Sequence, residues 1–201
     1  MILSRYPIVR CERIAFDPVN QQTYVADLMR YQVLRVQLRV GPHTIALYAV
    51  HLPTPINLNL LRQFREGHIL FQYAFLRFFF GYDEAERNAQ LRALLCYLRA
   101  ETLPYLVVGD FNTSPYSPMY RELAAVMSDA FAQAGSGFGL TYPNKRLMPP
   151  LIRIDYIWHS ASIQTLAASV LPFKRSGSDH LPVLARLELG QVAQDASHDR
   201  R

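Results

Sequence analysis

The feature that most constrains this chain is that its most apolar stretches end in side chains a protein interior rejects. Ile45 to Val50 is a nearly continuous apolar run that delivers His51 at its end, and Tyr105-Leu106-Val107-Val108 leads into Gly109-Asp110-Phe111-Asn112. Short apolar runs bounded by turn residues read as buried strands. A core strand has no packing reason to finish in a carboxylate, so the polar ends ask for another explanation. Two further places show the same pattern: Asp155 in Arg153-Ile154-Asp155-Tyr156-Ile157-Trp158, and Asp179 with His180 in Ser176-Gly177-Ser178-Asp179-His180-Leu181-Pro182.

The rest of the chain supplies a framework for those strands. Val33 to Val40 alternates, with Leu34, Val36, Leu38 and Val40 apolar against Arg35, Gln37 and Arg39, as a strand with one wet face does. Gly41-Pro42-His43-Thr44 turns it into the Ile45 run as a hairpin, and Pro53 and Pro55 stop the second strand. The opening residues Met1 to Ile8 form no secretory signal and read as a short strand stopped by proline. Ala85 to Ala100 carries apolar residues three and four apart with Arg87, Arg92 and Arg99 off that stripe, the pattern of an amphipathic helix. Ser117-Pro118 offers a cap and a first-turn proline for a helix to about Met127. Strands are expected at Leu151 to Trp158, Ile163 to Leu171 and Pro182 to Leu189, and Gln191 to Arg201 lacks apolar periodicity. The pattern predicts an α+β domain over residues 1–189, with helices covering sheets packed face to face, followed by a flexible tail over 190–201.

Composition narrows the chemistry. The 201 residues are 50% apolar, which suits one globular domain and excludes low-complexity disorder. The net charge of +5 is spread along the chain and forms no continuous basic stripe, so it does not mark a nucleic-acid footprint. Cys11 and Cys96 fit neither a disulfide framework nor a metal spacing, and read as small buried hydrophobes. His43, His68, His159 and His198 have no evident partner and read as surface or turn residues. Carboxylate and amide oxygens without a cysteine cluster favour a hard cation such as Mg²⁺ or Mn²⁺ over zinc, and histidine beside them favours hydrolysis. In extended chain Asp110 and Asn112 point to one side, and Gly109 leaves room for a close approach. An aspartate bonded to one ring nitrogen of a histidine orients the other nitrogen for acid or base work.

Gly109-Asp110-Phe111-Asn112, Ile154-Asp155-Tyr156-Ile157 and Ser178-Asp179-His180-Leu181-Pro182-Val183, in this order with His51 upstream, resemble the endonuclease/exonuclease/phosphatase superfamily. Leu3 to Ile8 is similar to an interior strand of these enzymes, so the resemblance runs from Ile2 to about Leu189. It implies a four-layer α/β sandwich, two packed mixed β-sheets flanked by helices, and a Mg²⁺- or Mn²⁺-dependent phosphoesterase. By the family pattern Asp110 and Asn112 position the nucleophilic water or contact the phosphate, and Asp110 and Asp179 are metal ligands. His180 contacts the scissile phosphate as acid or base with Asp155 as its orienting partner, and His51 is a second phosphate-facing histidine. The base is Asp110 or His180. The family's principal metal-ligand glutamate and a supporting asparagine lie upstream of the segment that resembles Leu3 to Ile8, where this sequence has only Met1 and Ile2, and Glu12 does not take that role. The resemblance therefore implies an N-terminally incomplete sandwich: either a fragment of a longer protein, or a copy with an altered metal site. The second case gives an alternative function, a binding module that keeps the fold without the chemistry.

The segment Ile69 to Tyr82 carries Phe71, Phe75, Phe78 and Tyr82 at helical spacing and is too short to span a bilayer. It reads as an inserted helix packing on the sandwich, or as an aromatic surface through which Phe71, Phe75 and Phe78 make a peripheral membrane contact or grip an apolar substrate. With no basic stripe, a small or lipid-linked phosphate is favoured over nucleic acid as the substrate. The chain itself shows neither a signal peptide nor a transmembrane span, so cytoplasmic and membrane-associated locations both remain open.

Overall fold

The computed structural model describes residues 2–14, 33–55, 82–145, 148–172 and 177–190. The aromatic run at Phe71, Phe75 and Phe78 and the tail from residue 191 lie outside the described residues. The strands are β1 (Ile8–Ile14), β2 (Val33–Val40), β3 (His43–His51), β4 (Tyr105–Asp110), β5 (Ser128–Asp129), β6 (Asp155–His159), β7 (Ile163–Val170) and β8 (Val183–Leu189). The helices are α1 (Ala85–Ala100), α2 (Pro118–Ala124) and α3 (Ala130–Ala134).

β1, β2 and β3 form an antiparallel meander, β3 and β4 run parallel, and β4 pairs antiparallel with β6, giving the order β1-β2-β3-β4-β6-β5. α1 lies in the connection between the parallel strands β3 and β4, as a parallel pair requires. One face of this mixed sheet, through Ala46, Tyr48, Val50, Tyr105, Val107, Tyr156 and Trp158, packs under Leu91, Leu94, Leu95 and Leu98 of α1 and Met119 and Leu123 of α2. The other face meets the β7–β8 sheet: Leu189 packs near Val36, Leu38 and Ile45, while Ala185 and Leu187 pack near Ile157, Ala168 and Phe131. Helices, a six-stranded mixed sheet and a second sheet thus form three successive layers of an α/β sandwich.

Most boundaries fall where periodicity places them, and α1 covers the expected 16 residues. α2 is shorter than expected, ending at Ala124, but begins as the sequence signals, with the Ser117 side chain accepting from the Met119 N–H. The strand at 151–158 starts only at Asp155, because Tyr142 and Ile152 form an isolated bridge ahead of it. At the amino end, Pro7 precedes a strand instead of stopping one: β1 begins at Ile8, and the Pro7 carbonyl accepts from the Arg39 N–H. Cys11 and Cys96 are both exposed, correcting the expectation that they are buried. His159 is buried, not a surface residue, and its ring bonds the Ser160 carbonyl, Gln133 and Thr165.

The supposedly wet face of β2 is roofed by charge pairing. Arg35 bonds Glu101, which follows α1, at 2.6 Å, and also bonds Glu12 on β1, while the Tyr48 hydroxyl donates to the same Glu101 carboxylate at 2.6 Å. Glu101 and Arg35 side chains are only 5% and 11% exposed, so this cluster clamps the helix end to the meander. Burial pushes the Glu101 carboxyl up, but hydrogen bonds from Tyr48, the Leu103 N–H and Arg35 outweigh it and hold the group below the ordinary 4.5. The stabilisation is therefore present above pH 4.5 and lost as pH falls through the lower folded value. Glu101→Gln is expected to cost about 2 kcal/mol at pH 7, with the difference from wild type narrowing as pH falls below 4.5, measured by urea unfolding across pH.

Candidate active site

The register of the large sheet sets His51, Asp110 and Asp155 side by side: His51 opposes Asp110 across β3 and β4, and Asp110 opposes Asp155 across β4 and β6. Alternation along each strand puts all three on the face turned toward the second sheet, opposite Tyr48, Val50, Val107 and Tyr156. Cross-strand neighbours lie roughly 5 Å apart at Cβ, so the row brings two carboxylates and an imidazole within reach of one ligand. The fourth group comes from the segment before β8, where His180 Nδ1 bonds Asp155 Oδ2 at 2.8 Å. His51 Nε2 stands 3.9 Å from Asp110 Oδ2, with its side chain 81% exposed.

The loop after β4 is fixed by residues that alternate between core and site. Phe111 is fully buried, edge-on to Tyr156 at 5.5 Å, and its N–H donates to the Ile154 carbonyl at 2.9 Å. This anchor leaves Asp110 and Asn112 on the opposite side. Asn112 does not continue the extended chain as the spacing predicts; its φ of 46° is left-handed, and the turn folds its amide back onto Asp110. Its N–H donates to Asp110 Oδ1 at 2.8 Å, and its Nδ2 donates to Asp110 Oδ2 at 3.1 Å and to the Leu52 carbonyl at 2.9 Å.

Gly109 is required by close approach. With φ at +137°, a Cβ placed there would stand 2.0 Å from the Val50 carbonyl oxygen on β3. Gly109→Ala is expected to destabilise the fold by roughly 3 kcal/mol and to spread β3 from β4 at the level of His51 and Asp110, read by thermal unfolding.

Burial pushes the Asp110 carboxyl up, the neighbouring Asp155 charge adds to this, and the Asn112 N–H, His180 and His51 offset it only in part, leaving it at about 6. Burial pushes the His180 imidazolium down, but the hydrogen bond and charge of Asp155, with Asp110 and Asp179, more than compensate, so His180 holds its proton more tightly than a free histidine. The Tyr142 ring lies 4.8 Å from the His180 ring and limits its rotation. One ligand atom each from Asp110, Asp155 and His180 lies within 4.8 Å of the others, a compact oxygen and nitrogen donor set that fits a hard divalent cation. All of these groups border an open cleft of about 1370 Å³.

Asp110, Asn112, Asp155, His180 and His51 thus meet at one place. Asp179 is exposed and borders the same cleft, outside the compact group of three. Glu12 lies elsewhere, paired with Arg10 and Arg35. Arg153 does not pair with Asp155; it bonds buried Asp129 at 2.6 Å and stacks over Tyr156. Two participants were not legible from periodicity. Tyr142 gives no signal of its place against His180, and Arg87, assigned to the wet side of α1, is 2% exposed and donates to the Asn112 carbonyl.

A family model for the endonuclease/exonuclease/phosphatase family matches residues 1–180, and the chain belongs to that family. Solved structures share the fold. A functionally unknown conserved protein from Enterococcus faecalis V583 superposes with a TM-score of 0.65 at 18% identity, over 91% of this chain and 67% of its own. A mannosyl-6-phosphatase from Bacteroides thetaiotaomicron VPI-5482 gives 0.63 at 16% identity, over 92% and 67%. D. rerio TDP2, complexed with single-strand DNA product, gives 0.58 at 18% identity, over 90% and 68%. A protein from Beutenbergia cavernae DSM 12333 is matched over only 46% of its length, so the chain spans from under half to about two thirds of these structures. No curated protein sequence matches the chain. Among the described residues, no helix is long and apolar enough to cross a membrane.

Proposed function

We propose that the protein is a divalent-metal-dependent phosphoesterase that hydrolyses a phosphodiester or phosphomonoester by in-line attack of water. The observation that carries this reading is the row of His51, Asp110 and Asp155 across three adjacent strands, completed by His180 from the segment before the second sheet's last strand. A buried carboxylate beside a second carboxylate is costly unless a cation or proton is shared between them. Asp110 and Asp179 are the proposed ligands of Mg²⁺ or Mn²⁺, with Asp155 and His180 beside Asp110. Such an ion supplies charge that offsets what develops on the phosphoryl oxygens.

The protein's own groups do the rest. Asn112 holds the Asp110 carboxylate through two hydrogen bonds and so fixes its direction toward the cleft. Because Nδ1 of His180 is bonded to Asp155, its Nε2 is the nitrogen left for the substrate. Asp110 or His180 takes the proton of the attacking water; where Asp110 is the base, the His180 imidazolium, oriented by Asp155, gives its Nε2 proton to the leaving oxygen on the opposite side. His51, exposed at the end of β3, faces the phosphate from the other side of Asp110.

A small or lipid-linked phosphate suits the cleft better than duplex nucleic acid. Tyr82, Tyr116 and Tyr142 line it together with acidic groups, and Arg87 is the one guanidinium among its described lining residues and is buried. Duplex binding draws on many exposed cations along a backbone.

Turnover of bis(p-nitrophenyl) phosphate and p-nitrophenyl phosphate with Mg²⁺ or Mn²⁺ tests the chemistry. Asp110→Ala and His180→Ala are each expected to lower kcat by about 10³-fold. Absence of turnover by the wild-type protein with either metal would leave the binding-module reading in its place. Steeply salt-dependent binding to duplex DNA, tighter than to a soluble sugar phosphate or a phosphate-bearing vesicle, would contradict the substrate preference.

A further inference from the structure

Arg87 stands apart from the other charged residues of α1. Arg92 pairs with Glu122 at the surface, where its side chain is 62% exposed, whereas the Arg87 side chain is 2% exposed and sits beneath the Asp110–Asn112 loop. A buried guanidinium is tolerated only when its donors are matched in direction by acceptors. Here they are shared among three: the Glu84 carboxylate at 2.6 Å, the Asn88 side-chain carbonyl at 3.2 and 3.3 Å, and the main-chain carbonyl of Asn112. Glu84 is held in turn by the Tyr82 hydroxyl, so the cluster reaches from the cleft wall to its floor.

The third acceptor matters most. Asn112 is the only non-glycine residue with positive φ among those described, a conformation that persists where surrounding contacts over-determine it. Its N–H and side-chain amide are engaged by Asp110, the last residue of β4, and Leu52, which directly follows β3. Its carbonyl is engaged by Arg87, from α1. The two peptide planes that flank its Cα are thus held separately, the 111–112 N–H from the sheet and the 112–113 carbonyl from the helix, and together these contacts fix φ and ψ of Asn112. A neutral side chain at position 87 leaves the 112–113 peptide free to turn about ψ of Asn112, so the left-handed conformation loses the contact that holds it from the helix side and the Asn112 amides loosen their hold on Asp110.

We infer that Arg87 is a positioning residue for the proposed hydrolysis: by clamping the Asn112 carbonyl it holds Asn112 in its left-handed turn and thereby aims the Asp110 carboxylate. Resting as it does on the phosphoesterase reading, the inference needs a readout that survives failure of that reading. Arg87→Gln and Arg87→Lys are therefore compared with wild type in two ways, without metal and with it.

In the metal-free protein, hydrogen exchange at the Asn112 amide is expected to speed up by at least tenfold in Arg87→Gln, while the amide of Val107, fully buried in β4, keeps its protection. Arg87→Lys, which keeps the charge but not the fork, is expected to fall between wild type and Arg87→Gln. With Mn²⁺ and bis(p-nitrophenyl) phosphate, Arg87→Gln is expected to lower kcat by about 10²-fold with KM changed by less than about threefold. Because Arg87 acts through Asn112, the double variant Arg87→Gln/Asn112→Ala is expected to be no slower than Asn112→Ala alone.

Unchanged exchange at Asn112, or equal loss of protection at Asn112 and Val107, overturns the inference, the latter by showing a support of the whole fold. Multiplicative loss in the double variant also overturns it. The local exchange effect in Arg87→Gln together with no turnover by the wild-type protein overturns the phosphoesterase reading, and with it any catalytic meaning of the clamp.

Discussion

The rest of the site depends on the pairing register of β3, β4 and β6. Sliding β4 by one residue against β3 would turn Asp110 to the helix-covered face and bring Phe111 out of its pocket. The register is held by what lies on that face. Val50, Val107, Tyr156 and Trp158 interlock under α1 and α2, and Phe111 extends this aromatic group past the end of β4. Core packing on one side of the sheet thus determines which polar groups meet on the other.

That arrangement opposes stability locally. Asp110 is largely buried, faces Asp155 across the strand pair, and has its carboxyl raised to about 6 as a result. Such carboxylates are retained where a ligand compensates them. The fold supplies fixed donors in the meantime, the Asn112 amide on Asp110 and His180 on Asp155, while the Thr141 hydroxyl accepts from the Ile154 N–H at 3.2 Å and orders the entry to β6. Glu101 with Arg35 and Asp129 with Arg153 close buried charge elsewhere with direct cationic partners, whereas the donors bonded to Asp110 are the neutral amides of Asn112, a contrast that supports the role proposed for it.

Strand ends carried most of what the sequence could show. His51, Asp110, Asp155 and His180 were identifiable because each interrupts an apolar pattern or its flank, and the structure brings them together. α1, β2 and the helix start at Ser117 and Pro118 were legible because periodicity and capping are local. Arg87 and Arg35 were not, since a charged residue off an apolar stripe looks solvated until a distant carbonyl or carboxylate covers it, and those partners lie 25 and 66 residues away. The exposure of Cys96 escaped for a similar reason: its neighbours Leu94, Leu95 and Leu98 are buried, but the side of α1 that turns away from the sheet is fixed by tertiary packing. The left-handed turn at Asn112 also has no periodic signature, because extended spacing and a folded-back amide both bring it to Asp110.

The central claim is that these strand ends form one divalent-metal site for phosphate-ester hydrolysis. Anomalous scattering from a crystal soaked in Mn²⁺ tests it most directly. The account predicts a single strong peak in the cleft bordered by Asp110, Asp155, Asp179 and His180, lost in crystals of Asp110→Ala. A wild-type crystal with no peak there, or a peak unaffected by the Asp110→Ala substitution, would contradict it.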